Sequence, residues 1–182
     1  MTIFRTHDKG DTQHIRQGTP RNVPIGFIDP GAEGVALIWD LGVGVGEWPR
    51  PPDKRVTLGG YGSGNRTLAT VGAERGVEVW VIEDQFFGSN PKTTKRLAWT
   101  TGVIVGHILQ AKPVLEVVSV PPSSWQTILP RTGKRQKGDT KPLALAHARA
   151  RLGGWVDEQG NRREACADTF SMADWFEWFT RS

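Results

Sequence analysis

Cysteine occurs once in the 182 residues, at Cys166, so no internal disulfide can form and a reducing, intracellular setting is expected. Histidine occurs four times, at His7, His14, His107 and His147, and neither these nor Cys166 fall at zinc-ligand spacings. No apolar run approaches the roughly 20 residues that a membrane span needs. The first residues hold no hydrophobic core ahead of a small-residue cleavage site, so an export signal is not expected. No G-x-S-x-G surrounds a serine, and Cys166 lies within a helix pattern as a small apolar residue rather than a nucleophile. The run Gly42 to Gly46 (GVGVG) lacks the G-x-G-x-x-G spacing of a dinucleotide loop, and no helix pattern follows to receive a phosphate. Internal repeats are absent, and the length suits one domain with a real core.

What is present is an ordinary soluble composition, 37% hydrophobic and 23% charged, with 23 Lys and Arg against 19 Asp and Glu. The resulting charge of +4 and pI near 9.5 are compatible with a polyanionic partner. The basic residues are not evenly spread. Arg131 to Lys141 (RTGKRQKGDTK) gathers five of them, including Lys134, Arg135 and Lys137, with one acid and two glycines, which predicts an exposed basic loop.

Residues 1–22 are polar, carry both signs of charge and lack either periodicity, so they read as a flexible arm ahead of a domain over 23–182. Ile25 to Asp29 predicts a strand, Asp29-Pro30-Gly31 a tight turn, and Val35 to Trp39 a second strand. Gly42 to Asn65 is rich in Gly and Pro; its GVGVG piece is assigned to strand and hairpin, and Arg55 to Leu58 to a third strand. Thr67 to Arg75 predicts a short helix, and Val77 to Glu83 a nearly continuous apolar strand of the kind buried on both faces at the centre of an α/β sheet. A helix follows over Thr93 to Gln110, with Gly102 and Gly106 on one side where another backbone could come close. Beyond it come a strand over Glu116 to Val120, a short helix over Pro122 to Ile128, and helices over Lys141 to Leu152 and Ala165 to Phe179.

Three carboxylates punctuate this pattern. Asp29 ends the first strand, Glu83 ends the central one, and Asp168 lies in the last helix, where an α/β sheet would gather them although they are far apart in sequence. An acid directly after an apolar strand is costly unless neutralised, and no Lys or Arg adjoins Asp29 or Glu83. Magnesium answers both facts: it is a hard cation that prefers carboxylate and water oxygens. Two such ions about 4 Å apart could activate a water and stabilise the leaving oxygen of a phosphodiester. Taken singly, each acid could equally cap a turn or a helix.

The segments IGFIDPGAEGVALI, VWVIEDQFFGSNPKTTKRLAWTTGVIVGHIL and ACADTFSMADW, in that order, resemble the RuvC family of Holliday-junction resolvases from about Pro24 to Trp178. A lone I-D-P-G is shared with actin-like ATPases and sugar kinases, but those need two large lobes. The resemblance implies a ribonuclease-H-like α/β fold, a mixed central sheet flanked by helices, in a homodimeric endonuclease that resolves four-way junctions during DNA recombination and repair. It implies that Asp29, Glu83 and Asp168 bind Mg2+, with Mn2+ as a substitute and two ions per site, and that Lys141 and Lys137 contact DNA. It places Phe86 as a stacking residue for opened bases, although core packing must claim Phe86 or Phe87. The helix with Gly102 and Gly106 corresponds to the family's dimer contact; packing on the chain's own sheet is the other reading.

One departure stands out. Three residues before Asp168, where the family has a fourth acid, this chain has Ala165; Glu164 faces the same side and is the candidate substitute, whereas Asp174 reads as a surface acid. Two rival readings remain: a related nuclease of the same fold acting on other branched DNA or on RNA, and a junction-binding protein without catalysis. The length and the short region between Trp39 and Glu83 suit a phage or prophage source, acting in a bacterial cytoplasm or an infected cell.

Overall fold

A computed structural model describes residues 3–6, 23–31, 34–40, 48–58, 63–84, 91–111, 116–130, 138 and 140–181. The chain forms β1 (Ile3–Thr6), β2 (Pro24–Asp29), β3 (Val35–Asp40), β4 (Lys54–Thr57), α1 (Ser63–Glu74), β5 (Val79–Glu83), α2 (Pro91–Ala111) and β6 (Glu116–Val120). It continues through α3 (Pro122–Trp125) with a 3-10 turn at Gln126–Ile128, α4 (Thr140–Leu152), a 3-10 stretch at Gly153–Arg162, and α5 (Arg163–Arg181). The strands make one six-stranded mixed sheet in the order β1-β6-β5-β2-β3-β4. β2, β3 and β4 form an antiparallel meander, while β5 lies parallel to both β2 and β6.

Both faces of the sheet are covered, which is why its central strands read as unbroken apolar runs. Phe27, Leu37, Trp39, Val81 and Val118 point into a core shared with α4 and α5, where Phe170, Ala173 and Phe176 meet them. The alternate residues Ile28, Ala36, Ile38, Trp80 and Ile82 point the other way, onto α1 and α2 with Leu68, Ile104 and Ile108. Trp80 fills a slot that two glycines create: a Cβ on Gly26 of β2 would lie 2.2 Å from its ring, and one on Gly72 of α1 would lie 2.5 Å away. Among the described residues no helix is long and apolar enough to cross a membrane.

Two expectations fail here. Within the segment read as a flexible arm, Ile3–Thr6 form a strand that pairs in parallel with β6, Ile3 opposite Glu116 and Thr6 opposite Ser119. A four-residue strand carries too little periodicity to be seen alone, and its partner lies most of the chain away, so the ladder rather than the local sequence decides its conformation. Residues 7–22 lie outside the described residues. Asp174, read as a surface acid, is only 8% exposed. Its Oδ1 accepts hydrogen bonds from Trp48 Nε1 (2.6 Å) and Arg151 Nη2 (3.2 Å), and its Oδ2 lies 2.8 Å from His147 Nε2. An amphipathic helix on the surface would leave that side solvated, but Ser171 to Glu177 are buried throughout because α5 is packed between the sheet and its neighbours. Burial raises the proton affinity of Asp174, and the bonds from His147 and Trp48 with the nearby Arg151 outweigh it, holding the carboxyl below its usual range.

Candidate active site

The sheet register sets the first two acids side by side. In the parallel pair of β2 and β5, Ile28 lies opposite Ile82, so the next residues, Asp29 and Glu83, leave the same end of adjacent strands. The turn after β2 then fixes Asp29. Its Oδ1 accepts the Gly31 N–H at 2.8 Å, and the Gly34 N–H bonds the Gly31 carbonyl at 2.8 Å. A Cβ on Gly34 would come within 2.4 Å of the Asp29 carbonyl oxygen, so glycine is required for β3 to start so close to the end of β2. Glu83 is held from below: its Oε1 accepts the indole N–H of Trp125 at 3.1 Å. α5 packs across β2 and β3 and carries Asp168 to the same end.

The three acids sense one another. Burial raises the Asp29 carboxyl, against the Gly31 N–H and Lys141, which lower it. Burial also drives Glu83 well above the usual carboxylate range; Asp29 and Asp168 push the same way, and the Trp125 hydrogen bond opposes them. Asp168 is pushed up to about 7, by burial first and then by Asp29 and Glu164, with Lys141 opposing. Its Oδ1 is buried with no hydrogen-bond partner. Three half-buried carboxylates that disfavour one another's charge are a set of hard oxygen donors short of positive charge, which suits Mg2+ or Mn2+ and not a soft metal. Among the described residues no three such side chains close around a single point as a finished ion cage. It is the donor chemistry that fits a divalent cation.

Glu164 lies one turn before Asp168, near enough to raise it, but its Oε2 accepts a 2.7 Å bond from Lys141 Nζ. Both side chains of that pair are largely exposed, so it holds them only loosely. Glu164 also borders an open depression of about 370 Å3 lined with Gly160, Asn161 and Arg163. The structure thus brings Asp29, Glu83, Asp168, Glu164 and Lys141 to one end of the sheet. Phe86, Phe87, Lys134, Arg135 and Lys137 lie outside the described residues. Cys166 is buried, as its helical position suggested. Gly102 and Gly106 face away from the sheet: a Cβ on either would meet nothing within 4 Å, so packing on the chain's own sheet is not their role.

Sequence reading missed Trp125 as a partner of Glu83 and His147 as a partner of Asp174. Neither pair carries a spacing signal, because each joins residues from elements that only the fold brings together.

No family model matches the chain, and no curated protein does either. Solved structures do. One is Thermus thermophilus RuvC in complex with Holliday junction substrate, with 15% identity, a TM-score of 0.59, and coverage of 87% of this chain and 95% of that one. Another is the yeast mitochondrial Holliday junction resolvase, with 12% identity, a TM-score of 0.56, and coverage of 96% and 88%. A third is the fowlpox virus resolvase with substrate Holliday junction DNA, with 10% identity, a TM-score of 0.54, and coverage of 86% and 98%. With its mixed sheet covered on both faces and its acids gathered at one end, the chain has the ribonuclease-H-like fold of the RuvC-type Holliday junction resolvases.

Proposed function

We propose that the chain is a structure-specific endonuclease that resolves four-way DNA junctions by paired, Mg2+-dependent phosphodiester hydrolysis in the cytoplasm. The observation that carries this reading is the convergence of Asp29, Glu83 and Asp168, all with raised proton affinity, at the end of adjoining elements. The solved proteins of this fold include two bound to Holliday junction DNA, which makes a branched substrate the first choice.

Bound Mg2+, two ions in our reading, would supply charge stabilisation for a phosphorane-like transition state and a water of lowered pKa. Asp29, Glu83 and Asp168 would hold it, and Glu164 would join as a fourth ligand on leaving Lys141. Water attacks phosphorus in line and the opposite P–O bond breaks, with no covalent enzyme intermediate. Lys141, beside Asp168 and Asp29, neutralises the flanking phosphate. In this proposal Lys134, Arg135 and Lys137 extend that contact along the backbone, and Phe86 stacks on an opened base, a contact worth roughly 1 to 3 kcal/mol.

A two-fold substrate cut on opposed strands calls for two active sites, and a homodimer through α2 would supply them. Support comes from the outward face of that helix, where Gly102 and Gly106 leave room for a second backbone and Trp99, one turn earlier, is 63% exposed.

The test is a labelled synthetic junction incubated with Mg2+ or chelator and resolved on denaturing and native gels. Paired Mg2+-dependent nicks that release linear duplexes are expected. A shifted but uncut junction would replace the enzyme with a binding protein, and cleavage confined to flaps or RNA:DNA hybrids would replace the substrate. Lys141→Ala should weaken junction binding and lower the slope of log K against log salt by about 1, as loss of one phosphate contact does; an unchanged slope would remove Lys141 from the DNA path.

A further inference from the structure

Glu83 sits at the end of a strand, where a glutamate side chain has three torsions to spend. Something must choose its direction. The ends of β5 and β6 are locked together, with Glu83 opposite Val120 and the Asp84 N–H bonded to the Val120 carbonyl at 2.8 Å. Directly after β6, Pro121 is extended and Pro122 opens α3, so the chain reverses into a single helical turn beneath the acids. The Ser124 N–H bonds the Pro121 carbonyl at 2.9 Å, and Gln126 caps the turn back to the Pro122 carbonyl. Trp125 ends that turn and is 2% exposed, within the core that also holds Leu129.

A buried indole N–H has one donor and needs an acceptor. Here the acceptor is Glu83 Oε1. The ring cannot swing away, because close-packed neighbours hold it. The N–H is therefore a fixed point to which one carboxylate oxygen is tied.

We propose that Trp125 is a positioning residue for Glu83: its indole N–H sets the direction of the carboxylate, so that affinity for a divalent cation depends on a side chain that never touches the cation. This rests on the metal-dependent reading above. Outer-shell partners of this kind typically change metal affinity by about 10- to 100-fold.

Trp125→Phe removes the N–H and keeps an aromatic ring; Trp125→3-benzothienylalanine keeps the bicyclic shape and replaces only the N–H with sulfur. The second variant decides the matter if the first fails to fold. Mn2+ binding is measured by calorimetry in the absence of DNA, alongside the melting temperature of the metal-free protein and junction affinity in chelator. The expected result for the benzothienyl variant is an Mn2+ Kd raised about tenfold, with melting temperature and junction affinity as in the parent. An unchanged Mn2+ Kd would overturn the role of Trp125 while leaving the nuclease reading intact. A raised Kd accompanied by a matching fall in melting temperature would also overturn it, since the indole would then be holding the fold. A parent protein that takes up no Mn2+ would instead bring down the metal-dependent reading, and this inference with it.

Discussion

Asp29→Asn should reduce Mg2+-dependent junction cleavage by about a thousandfold while leaving junction binding in place. The magnitude follows from the several kcal/mol of transition-state charge stabilisation that a bound cation supplies, at about 1.36 kcal/mol for each factor of ten. The substitution suits the local structure. Asparagine keeps an Oδ1 that can accept the Gly31 N–H, so the turn between β2 and β3 survives and only the negative charge is lost. Binding should hold or tighten slightly, because one negative charge near the phosphates has gone. Single-turnover cleavage and native-gel affinity, measured on the same protein, separate the two effects. A variant that cuts at the parental rate would remove Asp29 from the metal site.

A second large effect concerns stability, and its sign is the reverse of what loss of a polar contact suggests. Asp168 is pushed up to about 7 from 3.8, so the folded protein keeps a proton there that the unfolded chain releases. Between about pH 4 and pH 7 the folded state binds more protons, and stability falls as pH rises through that window. A rise of that size in a carboxyl's proton affinity corresponds to about 4 kcal/mol, or roughly 10 °C in melting temperature for a chain of this length. In chelator at pH 8, Asp168→Asn should therefore melt roughly 10 °C above the parent, and the gap should close near pH 4. Mg2+ should raise the melting temperature of the parent more than that of the variant, because a ligand stabilises only the state that binds it. Equal melting temperatures at pH 8 would mean that Asp168 is not held against its own charge.

The sheet centre and the acids were legible because they are written locally. An apolar run ending in Asp29-Pro30-Gly31, and another ending in Glu83, specify both a strand and the acid at its end in a few residues. β2, β3, β5 and β6, and the helices α2, α4 and α5, lie close to where periodicity places them. What escaped depends on distant partners. β1 is a strand because β6 is there, and Asp174 is buried because His147, Trp48 and Arg151 converge on it. The slot that Gly26 and Gly72 open for the Trp80 ring likewise joins a strand and a helix that only the fold brings together. For Gly102 and Gly106 the sequence left two packing partners open, and only the direction of α2 removes the chain's own sheet from the choice.

The place of α5 in the chain has a consequence for synthesis. Asp29 and Glu83 leave the ribosome long before Asp168, and the helix that carries Asp168 also supplies much of the cover over one face of the sheet, through Phe170, Ala173 and Phe176. A nascent chain that has made every strand but not yet α5 would hold two of the three acids and a sheet face covered only by the turn after β6 and by α4. In the proposed reading, the third acid and much of the cover over that face would therefore arrive together, with the same nineteen-residue helix.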